Sequence, residues 1–296
     1  MHPDEVDTDA ALVTRLLAAQ FPRWAELPVR RVASTGTDNA MFRIGEELCA
    51  RLPRIEWAVG TIEREQRVLP VLAPHLPLVV PTPVAVGEPM DEYPYPWSVL
   101  PWIQGAAATR EHFAELALDP VAAAIDLAAF LKALQTVDTT DASPPSGRGR
   151  PITVRDADVR GAVAELGSAL DAEAVLAAWE RVMDTPAWPD APVWVHSDLQ
   201  GGNLIAQAGR LHAVIDFAPG TGDPAVDLLP AWNLFHGEAR EAFRTALGAD
   251  DATWERGRGW ALSVALVALP YYRRLGTNPR IVDDSWHGIR EILKSD

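Results

Sequence analysis

Cysteine is nearly absent: Cys49 stands alone in 296 residues. A single thiol excludes an internal disulfide framework and a multi-cysteine metal site. Lysine is almost as scarce. Lys132 and Lys294 are the only two, so 24 of the 26 basic residues are arginines. Basic charge as a whole is in deficit, with 26 Lys and Arg against 41 Asp and Glu, a net of −15. A nucleic-acid partner needs a basic face to neutralise phosphates, so the balance argues against that class of function. It fits a cationic small-molecule partner, and equally well plain solubility. Long apolar runs are missing too. The best, "WALSVALVALPYY", falls short of the ~18–20 residues that cross a bilayer. The start, "MHPDEVDTDAALVTRLL", lacks the basic n-region and apolar stretch of a secretory signal. A cytoplasmic protein without membrane contact is the expectation.

What remains is an ordinary globular composition, 48% apolar and 23% charged, in a chain long enough for one large domain or two lobes. Leu12, Val13, Leu16 and Leu17 recur at helical spacing and predict a helix over Thr8–Gln20, ended by Pro22. Short runs of strand character follow at 29–34, 40–45 and 47–53, with the turn cluster "TGTDN" between the first two. Residues 59–73 read as a helix with Ile62, Leu69 and Leu72 on one face. "TPVAVGEP" and "PWSVLPWIQG" read as further strands. After Gly105 the character changes. Residues 119–137 form a long apolar helix, and 139–151, "TTDASPPSGRGRP", a loop expected to be mobile. Two helical stretches fill 156–184. "NLIA" and "LHAVIDF" form a hairpin over the Ala208–Gly209 turn, and the chain is helical from Pro224 onward.

The chemistry is concentrated at "HSDLQGGN", residues 196–203, led in by the strand-like "PVWV" and followed by "IDF" at 215–217. Asn203 opens the first hairpin strand and Asp216 ends the second, so the hairpin brings them close. One amide oxygen and one carboxylate suit Mg²⁺, which prefers hard oxygens and shares its shell with phosphates, and suit zinc poorly. Asp198, held back from the metal, is placed to accept a proton from a hydroxyl. His196 would orient the loop through hydrogen bonds. Gly201 and Gly202 are expected to supply positive φ ahead of Asn203. In "GDPAVDL", Asp223 before Pro224 is a natural N-cap, and Asp227 is read as steadying the loop.

These residues carry a resemblance. "HSDLQGGN…IDF" resembles the H-x-D-x(4)-N and D-F-G motifs of the eukaryotic-like kinase fold. With "GDPAVDL" close behind and no A-P-E, it resembles the aminoglycoside phosphotransferase family more than protein kinases. The resemblance extends from "STGTDNAMFRIG" to the final helices. It implies an α+β, bilobal, protein-kinase-like fold: a small antiparallel β lobe with one helix over 1–103 and a larger, mostly helical lobe over 104–296. It also implies an ATP-dependent phosphotransferase with an alcohol acceptor, ATP (or GTP) as donor, and Mg²⁺. Asp198 then resembles the catalytic base, with His196 beside it, and Asn203 and Asp216 the metal ligands. Ser34, Thr35 and Gly36 resemble the phosphate-covering turn, whose backbone N–H groups cradle phosphate. The usual strand lysine is missing. Arg51 is its replacement, paired with Glu65, while Arg54 and Glu63 are the rivals. Counting back from Gly105, Pro101 C=O and Ile103 N–H would hold the adenine, and proline there lacks only a donor it does not need.

The acceptor is less determined. An aminoglycoside-like polycation, and hence an antibiotic-resistance role, leads, with the acidic stretches 248–255 and 282–286 and the C-terminal Asp296 as attractors. Asp250 or Asp251 is equally readable as a helix N-cap. Trp232, Phe235, Trp260, Tyr271, Tyr272 and Trp286 would suit a bulky acceptor such as a macrolide, or form core. A metabolite kinase and a nucleotide-binding regulator without turnover are the other readings.

Overall fold

The computed structural model describes residues 5–32, 38–140, 142–276 and 278–294. The chain divides into two compact units, one of Met1–Pro74 with Val79–Gln104, the other of His75–Leu78 with Gly105–Asp296.

The first unit opens with helix α1 (Ala10–Gln20), whose N-cap Asp9 accepts the Leu12 N–H at 2.7 Å. The cap places the helix start two residues after the predicted Thr8. Strands β1 (Val29–Arg31), β2 (Asn39–Ile44) and β3 (Leu48–Pro53) follow, then helix α2 (Glu56–Leu72) and strands β4 (Ala85–Gly87) and β5 (Trp97–Pro101). The sheet is antiparallel throughout, in the order β1-β2-β3-β5-β4. Strand β2 alternates half-buried and buried residues, which puts Ala40, Phe42 and Ile44 into the core, as a one-sided sheet requires. Leu12, Val13, Leu16 and Leu17 of α1 pack in the same cluster with Phe42, Tyr93 and Trp97. Both helices predicted for this stretch are present, and the apolar stripe of α1 covers the sheet. Gly87 admits no side chain, because a Cβ there would lie 1.9 Å from the Trp97 indole nitrogen.

The second unit begins with the short strand β6 (Ala106–Ala107) and helix α3 (Pro120–Gln135). Asp119 caps α3 through the Val121 N–H, with Pro120 at the first helical position. Helices α4 (Asp156–Leu166) and α5 (Ala172–Asp184) precede strands β7 (Val193–Val195), β8 (Leu204–Gln207), β9 (Arg210–Val214) and β10 (Gly220–Gly222). Strand β7 pairs with β10, and β8 lies between β6 and β9. A 3₁₀ turn at Pro224–Leu228 leads to helices α6 (Pro230–Asn233), α7 (Gly237–Leu247), α8 (Asp251–Leu275) and α9 (Pro279–Lys294). Asp250 is the N-cap of α8, accepting from Thr253 N–H at 2.6 Å, and Gly276 ends it in the left-handed conformation.

Helix α8 is the post on which this unit is hung. Gly257 and Gly259 let neighbours approach closely: a Cβ would meet Leu228 Cβ at 2.7 Å and Val182 Cγ1 at 2.3 Å, respectively. Between these glycines and the cap, Arg256 forms a buried ion pair with Asp223 at 2.6 Å, the two side chains only 3% and 6% exposed. Arg256 also donates to Pro186 O and Thr253 Oγ1. Asp223 in turn caps the 3₁₀ turn through Ala225 N–H at 3.0 Å. Removing one member of a buried pair strands the other's charge. Arg256→Leu is expected to lower stability by about 3–5 kcal/mol, seen as a lower urea midpoint at an unchanged slope.

Candidate active site

Strand β7 delivers His196 into the interior of the second unit, where it is fully buried. Its ring packs on Phe217 with centroids 4.6 Å apart. Nδ1 accepts the Asp198 N–H at 3.2 Å, and Nε2 lies 3.1 Å from Ile215 O. An acceptor role at Nδ1 and a carbonyl at Nε2 fix the neutral tautomer with its proton on Nε2. Burial pushes the imidazole below its ordinary value, which agrees with a neutral ring. His196 is thus a brace between the loop and β9, with no face open to a substrate.

The 3₁₀ turn supplies a second brace. Asp227, fully buried, accepts the His196 N–H at 2.8 Å on one oxygen and the Ser197 N–H at 2.7 Å on the other. Burial pushes its carboxyl up to about 7, against the pull of both N–H donors. The steadying role read for Asp227 is what the geometry gives it. Asp223 likewise serves the fold, as cap and ion-pair partner.

Ser197 then turns the chain at φ 68°, in the left-handed region. Asp216 does the same at φ 55°. The sequence reading put positive φ at Gly201 and Gly202 instead. Neither is left-handed; Gly201 is glycine for space, while Gly202 faces only the end of a long side chain. A Cβ on Gly201 would lie 2.7 Å from Ala108 O, and one on Gly202 would lie 2.8 Å from Arg280 Nη2. The left-handed residues sit near the start of the motif and beyond its end, and Gly201 lets the backbone at Ala108 and Thr109 press on it.

Asp198 is half-buried, its Oδ1 2.5 Å from Arg148 Nη1. Among the described residues its other oxygen has only long hydrogen bonds, from Gln200 Nε2 at 3.4 Å and Asn203 Nδ2 at 3.5 Å. Asn203 Nδ2 donates to Asp198 O at 2.9 Å. That spends the amide nitrogen on the loop and leaves the amide oxygen as the group with lone pairs to offer. Asn203 O accepts the Ile215 N–H at 2.9 Å, so Asn203 and Asp216 stand at adjacent ladder ends. The hairpin turns through Ala208 (φ 50°) and Gly209 (φ 75°), the positive pair that a two-residue turn demands. Among the described residues, no group of three or more His, Cys, Asp or Glu side chains stands in ligand geometry. The donor set fits Mg²⁺, which takes one or two carboxylates and completes its shell from water and phosphate.

In the first unit, Arg51 of β3 and Glu65 of α2 form a buried ion pair at 3.0 Å, 10% and 3% exposed. Glu65 is thereby distinguished from Glu63. Arg54, the rival cation, pairs with Glu5 at 2.5 Å. Arg51 sits opposite Met41 and Ser98 in the sheet register. Pro101 ends β5 with Cys49 Sγ 4.0 Å from its carbonyl. Ile103 N–H has no backbone partner among the described residues. Ser34, Thr35 and Gly36 lie outside the described residues.

The candidate acceptor residues separate sharply. Trp232, Phe235 and Trp260 are core, while Tyr271 is exposed and stacks edge-to-face on Tyr272. Asp250 is spent on its cap and Asp251 on Arg244. Asp284 of α9 pairs with Arg110 at 3.3 Å, and burial raises its carboxyl despite Arg110 and Arg280. Asp296 lies outside the described residues.

Arg148 is the residue that motif reading missed. It lies in "SPPSGRGRP", read from sequence as a loop, where residues 147–149 form a 3₁₀ turn whose arginine reaches Asp198. Glycine density concealed it: Gly149 and Gly222 touch backbone to backbone, with a Cβ on Gly149 2.1 Å from Thr221 O and one on Gly222 2.2 Å from Gly149 O.

The strain at Ser197 is testable. A left-handed L-residue costs ~1–2 kcal/mol and glycine's unfolded-state entropy returns ~0.5–1. Ser197→Gly should therefore raise stability by up to about 1 kcal/mol, and the β-branched Ser197→Val should lower it, both read from urea midpoints.

The geometry can be set beside known proteins. The sequence model of the phosphotransferase enzyme family matches residues 29–260. No curated protein matches the chain significantly. Among solved structures, the GDP complex of wild-type aminoglycoside 2′-phosphotransferase-IIIa superposes with a TM-score of 0.77 at 16% identity, covering 98% of this chain and 100% of that one. The GDP and kanamycin complex of APH(2″)-IIIa gives 0.73 at 18%, covering 96% and 97%. The apoenzyme of macrolide 2′-phosphotransferase MphH from Brachybacterium faecium gives 0.64 at 21%, covering 93% and 96%. At these identities the likeness is one of fold, the kinase-like α+β fold. The family match, spanning 29–260 of 296 residues and including the whole "HSDLQGGN…IDF" constellation, shows that the protein belongs to the phosphotransferase enzyme family.

Proposed function

We propose that this phosphotransferase moves the γ-phosphoryl group of ATP to a hydroxyl of a small molecule, with an aminoglycoside-like compound as the leading acceptor. The observation that carries the reading is the posture of Asp198. Its backbone is pinned through His196, its Oδ1 is held by Arg148, and among the described residues its Oδ2 has hydrogen bonds only at 3.4 and 3.5 Å. A carboxylate fixed in this way is a general base awaiting a hydroxyl. The acceptor's proton passes to Asp198 Oδ2. The acceptor oxygen bonds to the γ-phosphorus as the bond to the bridging oxygen breaks, and the nucleoside diphosphate leaves.

Asn203 Oδ1 and the Asp216 carboxylate would hold Mg²⁺. Bound there, the ion supplies charge neutralisation for the phosphates. Arg51, kept in place by Glu65, would contact the nucleotide phosphates with a planar, permanently charged fork. Ser34, Thr35 and Gly36 would cover them. Pro101 C=O and Ile103 N–H would read the base. GTP stands beside ATP as donor because solved relatives carry GDP. The acceptor class rests on the net charge of −15 and on the kanamycin of one structural neighbour. The macrolide reading rests on the exposed Tyr271 and on a macrolide-modifying neighbour. A cytoplasmic location, where ATP and Mg²⁺ are abundant, belongs to the same reading. No helix of the described residues is long and apolar enough to cross a membrane.

Coupled ADP release over an aminoglycoside and macrolide panel tests the reaction. Asp198→Asn is expected to lower kcat on the order of 10²–10⁴-fold; wild-type turnover in that variant would remove Asp198 from the base role. Arg51→Ala removes a charged donor, and should lower kcat/KM for the nucleotide on the order of 10- to 100-fold. An unchanged nucleotide profile would mean that another cation serves the phosphates.

A further inference from the structure

We infer that Arg148 is a positioning residue for phosphoryl transfer: it fixes Asp198 by Oδ1, so that Oδ2 alone is presented to the acceptor hydroxyl. The inference rests on the reading of Asp198 as the base. One terminal nitrogen, Arg148 Nη1, donates both to Ser197 O at 2.9 Å and to Asp198 Oδ1 at 2.5 Å. Binding a backbone carbonyl and the next residue's carboxylate with a single nitrogen fixes the side-chain torsion of Asp198 relative to its own main chain. The competing contacts on Oδ2 are near the limit of a hydrogen bond, at 3.4 and 3.5 Å.

The pair is a poor stability device. Its side chains are 38% and 35% exposed, and exposed ion pairs contribute little to folding. Yet Arg148 is presented by a built platform. Thr221 Oγ1 donates to Ser143 O at 2.8 Å, Gly149 N–H closes onto Ser146 O at 2.8 Å, and Gly149 abuts Gly222. Strand β10, which carries Thr221 and Gly222, pairs with β7, register Gly220↔Val195, directly before His196. The arginine and the loop it holds are therefore bolted to the same two-stranded ribbon. Arg150 and Arg155 lie within electrostatic reach of the same cluster. Arg155 is answered by Asp158 at 2.7 Å, and Arg148 by Asp198 at 2.5 Å. A platform that excludes side chains in order to seat one exposed cation on the base serves geometry. Misplacement of a catalytic group by about 1 Å costs on the order of 10²-fold.

The test measures turnover of Mg–ATP by coupled ADP release, with kanamycin as acceptor and with water alone. Arg148→Ala should lower kcat on the order of a hundredfold at an unchanged KM for ATP and an unchanged urea midpoint. Arg148→Lys, which keeps a multivalent nitrogen, should recover part of the loss. Guanidinium added to the medium should partly restore Arg148→Ala and leave Asp198→Asn unrestored. An unchanged or raised kcat in Arg148→Ala overturns the inference. So does a joint fall of kcat, ATP affinity and urea midpoint without rescue, which marks a purely structural residue. Should Arg148→Ala fail to fold, Arg148→Lys and Gly149→Ala carry the test, and wild-type kcat in both overturns it. Wild-type turnover in Asp198→Asn sinks the base reading and the inference together. Loss in Asp198→Asn with none in Arg148→Ala sinks the inference alone.

Discussion

One buried carboxylate organises the second unit. Asp227 spends one oxygen on the N–H of His196 and the other on the N–H of Ser197, so the loop's entry is tied to the turn before α6. Charge-assisted bonds to backbone donors are among the stronger ones available to a protein. Such bonds are what compensates a carboxylate for being taken out of water. The same turn is anchored from its other end by the Asp223–Arg256 pair on α8. A chain of contacts thus runs from α8 through the turn to the loop. His196 closes the circuit from within by bridging Asp198 N–H and Ile215 O, which couples Asp198 to the segment that follows β9 and leads to Asp216.

What the sequence makes legible is what is local. His196, Asp198, Asn203 and Asp216 sit within one hairpin and its lead-in, so spacing alone brings them together. Asp223 and Asp250 as caps follow from short-range rules, a carboxylate before Pro224 and before the helix at 251. Pairings between distant segments were legible only as alternatives. Glu63 and Glu65 are two residues apart on α2, and which one faces β3 depends on how the helix is rotated against the sheet. Arg148 was invisible because fifty residues separate it from its partner, and because glycines chosen for close approach look like flexibility in a one-dimensional string. The positive φ angles were misassigned for a related reason. Glycine is the default residue for the left-handed region, but Ser197 and Asp216 occupy it because the surrounding hydrogen bonds over-determine the turn.

The scarcity of lysine acquires a physical sense in the structure. The buried ion pairs at Arg51–Glu65 and Arg256–Asp223 and the clamp at Arg148 all use guanidinium groups. Arg256 serves three acceptors at once, Asp223, Thr253 and Pro186. A lysine ammonium is more strongly hydrated and gives up its proton more readily on burial, so it suits such interior positions less. The acidic excess lies largely elsewhere, on exposed positions and helix caps.

The contact of Gly149 with Gly222 sets a limit on modularity. The eight-residue loop looks like a portable cassette, to be cut at β7 and pasted into another scaffold of the same fold. Asp198, however, is held by Arg148 from a segment far upstream that leans on the strand behind it. A graft of residues 196–203 alone would carry the reactive groups without their alignment. The smallest transferable piece is discontinuous: the loop, the ribbon strand with Thr221 and Gly222, and the turn from Ser143 to Gly149. In this chain the three stretches are one unit of contacts, and an exchange that keeps them together keeps the hold of Arg148 on Asp198.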